Sequence, residues 1–271
     1  FSIQPGEFSK ILLLIFFAQL LAQKRALFTV AGRRFLGLTF PRVRDLAPIL
    51  MVWAIAILIM AASNDFGPAL LLFATVLGMV YFATDRISWL AIGLALVAVG
   101  GYAVYQVSGK IQERVANFID PFADFEGIGN QPANALIGLS WGGMTGTGLG
   151  YGHPELVPVA HSDYILAAIG EELGLVGIAA VLCLFAIFIT RGFRTAMQVR
   201  DSYGKLLAAG LALTIAIQIF VVAGGVSSMM PMTGLTTPFM SAGGSSVMAN
   251  YILLGLLLRI SLSLIHISEP T

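Results

Sequence analysis

The chain has 271 residues, of which 58% are hydrophobic and only 11% charged, with a mean hydropathy of +0.89. A soluble domain carries about 25% charged residues, so this composition excludes a polar-coated globule. Apolar runs of about 17 residues or more instead mark an integral membrane protein. The formal charge of +1, from 15 Lys+Arg against 14 Asp+Glu, supplies no basic stripe for nucleic acid.

Phe1 is not an initiating methionine, and the chain reads as starting within a longer protein. Seven segments are long and apolar enough to span a bilayer: Phe8–Ala22, Leu46–Ser63, Gly67–Ala83, Trp89–Val107, Tyr164–Thr190, Leu206–Gly224 and Ser246–Ile260. The sole cysteine, Cys183, lies inside the fifth, so no internal disulfide can form. Basic residues cluster in the first loop (Lys24, Arg25, Arg33, Arg34, Arg42, Arg44), at Arg86, after the fifth span (Arg191, Arg194, Arg200, Lys205) and at Arg259. Counting crossings puts all four clusters on one side, which the positive-inside rule assigns to the cytoplasm. The other face then holds Asn64–Phe66, the long connection Ser108–His161 and Gly225–Ser245. The long connection is rich in Gly, aromatic and apolar residues, so short surface or re-entrant pieces are expected within it, and the chemistry should lie on this outer face. At the C-terminus, Leu262–Thr271 (LSLIHISEPT) reads as a translated sequencing-library adaptor. It is expected to be a cloning or assembly scar outside a membrane domain of residues 1–261.

Ionisable residues near a bilayer are costly and mark candidate sites. His161-Ser162-Asp163 opens the fifth span, and Glu171-Glu172 follow about two turns later, roughly 12 Å along a helix. Ser162 and Asp163 suit a helix cap as well as catalysis. Glu171 and Glu172 suit a structural role or one tied to protons. In Pro231–Ser246 (PMTGLTTPFMSAGGSS) the two prolines forbid regular helix, and Gly243-Gly244-Ser245-Ser246 resembles a turn into a helix N-terminus that could hold an anion or simply allow close packing. Gln4, Glu7, Lys10 and Asp65 read as caps or internal pairs. The chain contains no zinc-type spacing, nucleophile elbow, Walker loop or Rossmann glycine pattern.

In order along the chain, IQPGEFSK (Ile3–Lys10), NDFGPALLL (Asn64–Leu72), RVANFIDPFADFEGIGNQ (Arg114–Gln131), GTGLGYG (Gly146–Gly152), PVAHSDYILAAIGEELGLVG (Pro158–Gly177) and PMTGLTTPFMSAGGSS (Pro231–Ser246) resemble the SEDS family, whose members include RodA, FtsW and SpoVE. The resemblance implies an all-α polytopic membrane fold in which these seven helices are the last seven of ten, with a long extracellular loop between the fourth and fifth. It implies a peptidoglycan glycosyltransferase that polymerises lipid II on the outer face of the bacterial cytoplasmic membrane, partnered by a class B penicillin-binding protein and membrane lipids. The family's essential aspartate falls on Asp163, with Ser162 for its threonine and Tyr164 for its phenylalanine. Asp163 would be the general base, or the carboxylate holding a divalent metal (Mg or Mn) that activates the acceptor. Arg114 and the Gly243–Ser246 turn are the candidates for stabilising the diphosphate, with Gln131, His161 and Ser241 as further substrate-binding residues.

Many members carry a lysine after the Gly-Leu-Gly stretch, where this chain reads YGHPELVP with His153 near that position, so that lysine's role does not carry over. The shorter form is similar to actinobacterial members. Two other readings stand beside the transferase: a lipid II flippase, which Glu171 and Glu172 would suit, and a non-catalytic scaffold, in which Asp163 would be dispensable. A chain without the first three helices is expected to be inactive by itself.

Overall fold

The computed structural model describes residues 4–29, 34–35, 38–39, 51 and 66–268. The described residues form eight α-helices: α1 (Pro5–Thr29), α2 (Phe66–Thr84), α3 (Ser88–Val107), α4 (Gly109–Ile119), α5 (Asn130–Gly142), α6 (Ile165–Gln198), α7 (Ser202–Val226) and α8 (Gly244–Ser268). Two short strands, β1 (Arg34–Phe35) and β2 (Leu38–Thr39), pair antiparallel in the basic first loop, with Arg34 opposite Thr39. Six helices, α1 to α3 and α6 to α8, are long and apolar enough to cross a membrane, which makes this a multi-pass membrane protein. They coincide with six of the seven expected spans; the expected Leu46–Ser63 span lies outside the described residues apart from Met51. The 108–161 connection contains α4, α5 and a 3-10 turn at Pro154–Leu156.

The chain divides into two compact units. One comprises Gln4–Val104, Ile189–Ile215 and Tyr251–Thr271. Its core is apolar, with Leu14, Leu21, Met79, Val80, Trp89, Leu211 and Ile215 all buried. Small residues bring helices together there: a Cβ on Gly78 would meet the Leu213 side chain, and one on Gly210 would lie 2.7 Å from the Met79 sulfur. Glu7 and Lys10, one turn apart in α1, form a buried ion pair at 2.6 Å, the internal pairing expected of them.

The other unit is built from Tyr105–Phe188 and Ala216–Asn250 and carries the polar residues of interest. Its packing centres on Ala133, Ala135, Leu166, Val222, Leu235 and Ala249. In its Asp120–Gly129 turn the acidic side chains organise backbone. Asp120 Oδ1 accepts from Phe122 N–H at 3.0 Å, and Asp124 Oδ2 accepts from Ile128 N–H at 3.2 Å.

One feature departs from the sequence reading. The fifth span, expected to be a continuous helix, is interrupted at Gly174, whose φ of 68° and ψ of −168° are open only to glycine. A break of this kind strands carbonyls before it and N–H groups after it. The glycine-rich loop after α5 meets both. Thr147 and Gly148 N–H donate to the carbonyls of Glu171 and Glu172, each at 3.0 Å, while Leu175 and Val176 N–H donate to the carbonyls of Gly143 (2.9 Å) and Met144 (3.2 Å). Only glycine fits this approach: a Cβ on Gly142 would strike the Gly170 carbonyl, and one on Gly146 the Glu172 carbonyl.

Candidate functional site

Asp163 stands two residues before α6, and the chain around it is held by the loop that precedes α8. Ala242 N–H donates to the His161 carbonyl at 2.8 Å, and Ser241 Oγ donates to the Ser162 carbonyl at 2.6 Å. Ser162 Oγ in turn donates to Asp163 Oδ1 at 2.7 Å, orienting the carboxylate. Val159, a β-branched residue at φ 57°, turns the chain just upstream, an uncommon conformation that the surrounding bonds must hold.

Asp163 opens onto a pocket of about 120 Å³ that also includes Arg114, Asn117, Gln131, Tyr164 and Gly234. Arg114, Asn117 and Phe118 share one face of α4 because they are three and four residues apart, and that face lines the pocket. Arg114 Nη1 donates to the Thr233 carbonyl at 3.0 Å. Its Nη2 and Asp163 Oδ2 converge on Gly234, at 3.1 and 3.6 Å from where a Cβ would stand. Gly234 has φ 76°, so conformation and space both call for glycine there. Among the described residues, Asp163 and Arg114 are the charged ones that line it.

The remaining candidates lie in different surroundings. Gln131 lines the pocket and donates through Nε2 to the Pro158 carbonyl at 2.6 Å. His161 is exposed and lines a separate cleft with Pro154, Glu155 and Val157. Ser241 is buried; besides donating to Ser162, its Oγ accepts from Thr237 N–H at 2.7 Å. Ser246 is buried too, 2.7 Å from Thr236 Oγ1 and accepting from Asn250 Nδ2 at 3.4 Å. Gly243 N–H donates to the Ser241 carbonyl at 2.9 Å, and Gly244 opens α8 with nothing within 4 Å of a Cβ. Gly243, Gly244, Ser245 and Ser246 are not among the residues lining the Asp163 pocket. Glu171 is buried and Glu172 half-buried beside the glycine loop. Glu171 Oε1 accepts from His153 N–H at 2.7 Å, and Glu172 Oε1 from Gly150 N–H at 3.1 Å.

Asn117 and Gly234 were missed in the sequence. Asn117 Nδ2 donates to the Ile128 carbonyl at 2.7 Å and so fixes α4 against the turn beside the pocket. Its position one helical turn after Arg114 was the available signal. Among the described residues, no group of three or more His, Cys, Asp or Glu is placed to hold a metal ion. Outside the spans, the exposed Glu155 carboxyl is held below its ordinary value, first by its own backbone N–H and then by His153, whose Nδ1 is 3.0 Å from Oε1.

The helices and this pocket define a polytopic membrane protein with a carboxylate and a guanidinium brought together beside the start of a broken helix. The sequence profile of the FtsW/RodA/SpoVE family, described as cell cycle proteins, matches residues 1–265, and the chain belongs to that family. It is 56% identical over 261 residues to a protein named peptidoglycan glycosyltransferase RodA from Mycobacterium tuberculosis (strain ATCC 25618 / H37Rv), covering 96% of this chain and 56% of the relative. A probable peptidoglycan glycosyltransferase FtsW from Trichlorobacter lovleyi is 34% identical over 268 residues, covering 97% of this chain and 67% of that one. The chain therefore spans little more than half the length of its mycobacterial relative. In fold it is similar to a solved chain from a peptidoglycan synthase complex, with a TM-score of 0.69 at 24% identity, covering 97% of this chain and 84% of that chain.

Proposed function

We propose that the protein to which this chain belongs is a peptidoglycan glycosyltransferase of RodA type, polymerising lipid II on the outer face of the cytoplasmic membrane, with Asp163 as its reactive carboxylate. The observation that carries this reading is the convergence of Asp163 Oδ2 and Arg114 Nη2 on Gly234, in a pocket they line as its charged residues among those described. Similarity favours the RodA branch, at 56% identity to RodA against 34% to FtsW. The outer face is favoured by the charge of the loops, since counting crossings in the sequence assigns Asp163 to the face opposite the four basic clusters.

In the reaction the 4-hydroxyl oxygen of one sugar attacks the anomeric carbon of another. The bond from that carbon to the diphosphate breaks, undecaprenyl diphosphate leaves, and the hydroxyl proton passes to Asp163 as general base. Arg114, held by Thr233, faces the negative charge that builds on the leaving group. A Mg²⁺ or Mn²⁺ at this site would have Asp163 as its one pocket carboxylate and would take its other oxygens from water and diphosphate, a ligand set that Mg²⁺ accepts. A class B penicillin-binding protein is the proposed partner, which crosslinks the glycan.

The test is lipid II polymerisation by the full-length protein, co-purified with its penicillin-binding protein and with transpeptidation blocked, beside Asp163→Asn. Long glycan from the parent and none from an equally well-folded variant is the expected result. Equal product from both would remove Asp163 as the base. No product from either would move the reading to a lipid II flippase or a scaffold.

A further inference from the structure

We infer that Glu171 is a positioning residue for Asp163, assisted by Glu172, and that both act by accepting main-chain N–H groups, not by moving protons or touching substrate. The inference rests on Asp163 being the reactive carboxylate, as proposed above. Through its bond to His153 N–H, the buried Glu171 carboxylate closes the stretch His153–Glu171 into a ring of chain, and Asp163 lies near the middle of that stretch. Glu172 fastens the same loop three residues earlier, at Gly150. Gly152 is seated on both acidic stems: a Cβ there would lie 3.1 Å from Glu172 Cγ and 3.2 Å from Glu171 Cγ. Gly138 makes room from the other side, since its Cβ would stand 2.8 Å from Glu171 Oε2.

Both strands of chain leaving this clasp lead to Asp163. One runs from His153 through the 3-10 turn and the left-handed Val159. The other runs back from Glu171 along the first segment of α6, Ile165 to Leu173, which Gly174 severs from the rest of the helix. A helical piece that short is marginal by itself, so its direction, and the place of the carboxylate before it, depend on what holds its far end. A charge is not needed for this. A glutamine oxygen accepts the same N–H groups, whereas a proton relay or a charged substrate contact requires the carboxylate.

The experiment uses the full-length protein with its penicillin-binding protein and compares the parent with Asp163→Asn, Glu171→Gln, Glu171→Ala and Gly152→Ala. Glu171→Gln should keep the parent's kcat, KM and pH–rate profile. Glu171→Ala should lower kcat by on the order of 100-fold, the effect of displacing a reacting group by about 1 Å, with KM little changed. Gly152→Ala, which keeps both carboxylates but crowds their stems at 3.1 and 3.2 Å, should fall between the two. Amide hydrogen exchange over residues 143–166 gives a readout independent of turnover: it should rise in Glu171→Ala and match the parent in Glu171→Gln. A Glu171→Gln variant as inactive as Glu171→Ala, or with a displaced pH profile, would overturn the inference. Unchanged exchange around Asp163 in Glu171→Ala would overturn it even if the parent made no glycan, an outcome that would count separately against the transferase reading.

Discussion

Two loops grip the chain on either side of Asp163, and they do so with different groups. The Gly143–His153 loop holds residues 171–176 mainly through main-chain bonds, with two carboxylates added. The loop before α8 holds His161 and Ser162 with one main-chain bond and one serine hydroxyl. It is itself braced by Ser241 on Thr237 and by Gln218 Nε2 on the Thr236 carbonyl at 2.7 Å. Main-chain bonding tolerates many side chains but demands backbone contact, so its weak points are glycines. Hydroxyl bonding leaves the backbone freer and makes single polar side chains indispensable.

The largest effect is expected where the first loop is broken through its glycines. Gly146→Ala adds a Cβ at φ 83° that collides with the Glu172 carbonyl and displaces the bonds of Thr147 and Gly148. The cost is on the order of 3 kcal/mol, combining left-handed strain with buried carbonyls left unpaired. Thermal unfolding of the full-length protein should then shift down by roughly 3 °C. A shift near zero would mean that the loop is not held at the break.

Ser241→Ala is the corresponding break in the second loop. It leaves Thr237 N–H and the Ser162 carbonyl without their partner, at about 1–3 kcal/mol. Because Ser162 carries the hydrogen bond to Asp163, glycan synthesis should fall together with stability. A raised KM for lipid II at unchanged thermal stability would instead make Ser241 a substrate contact.

These contrasts mark what the sequence could and could not disclose. The spans were legible because an apolar run of 18 residues is a local property, and six described helices fall on them. Asp163 was legible as a charge at the edge of an apolar segment and Arg114 only through the family resemblance, although nothing in their spacing put both beside Gly234. The break at Gly174 was not legible. GEELG carries no proline, and what makes the interruption tolerable is a set of partners some thirty residues earlier in the chain. Ser241 and Ser246 show the same limit. Read locally, the Gly-Gly-Ser-Ser turn that ends at Ser246 offers its groups to an anion, and the resemblance adds Ser241 as a substrate contact, yet these two hydroxyls bond to Ser162, Thr236 and Thr237, contacts that only the folded chain supplies.

The smallest effect concerns the exposed pair His153–Glu155, where the comparison between main chain and side chain can be made within one residue. His153 lends its N–H to Glu171, while its imidazole reaches Glu155 on the surface. The depressed Glu155 titration gives a contribution to stability that is present above its ordinary value of 4.5 and is lost as the pH falls through the lowered one. Its first cause is the residue's own backbone N–H, which His153→Ala leaves in place, so the variant should keep part of the depression. Thermal unfolding of parent and Glu155→Gln should therefore differ slightly at pH about 7 and converge as the pH falls below 4.5 through the lowered value. His153→Ala should also retain the clasp and the parent's rate of glycan synthesis, because alanine donates the same N–H. A large loss of rate in His153→Ala, with exchange around Asp163 unchanged, would assign the imidazole a role in the reaction that its place beside Glu155 does not provide.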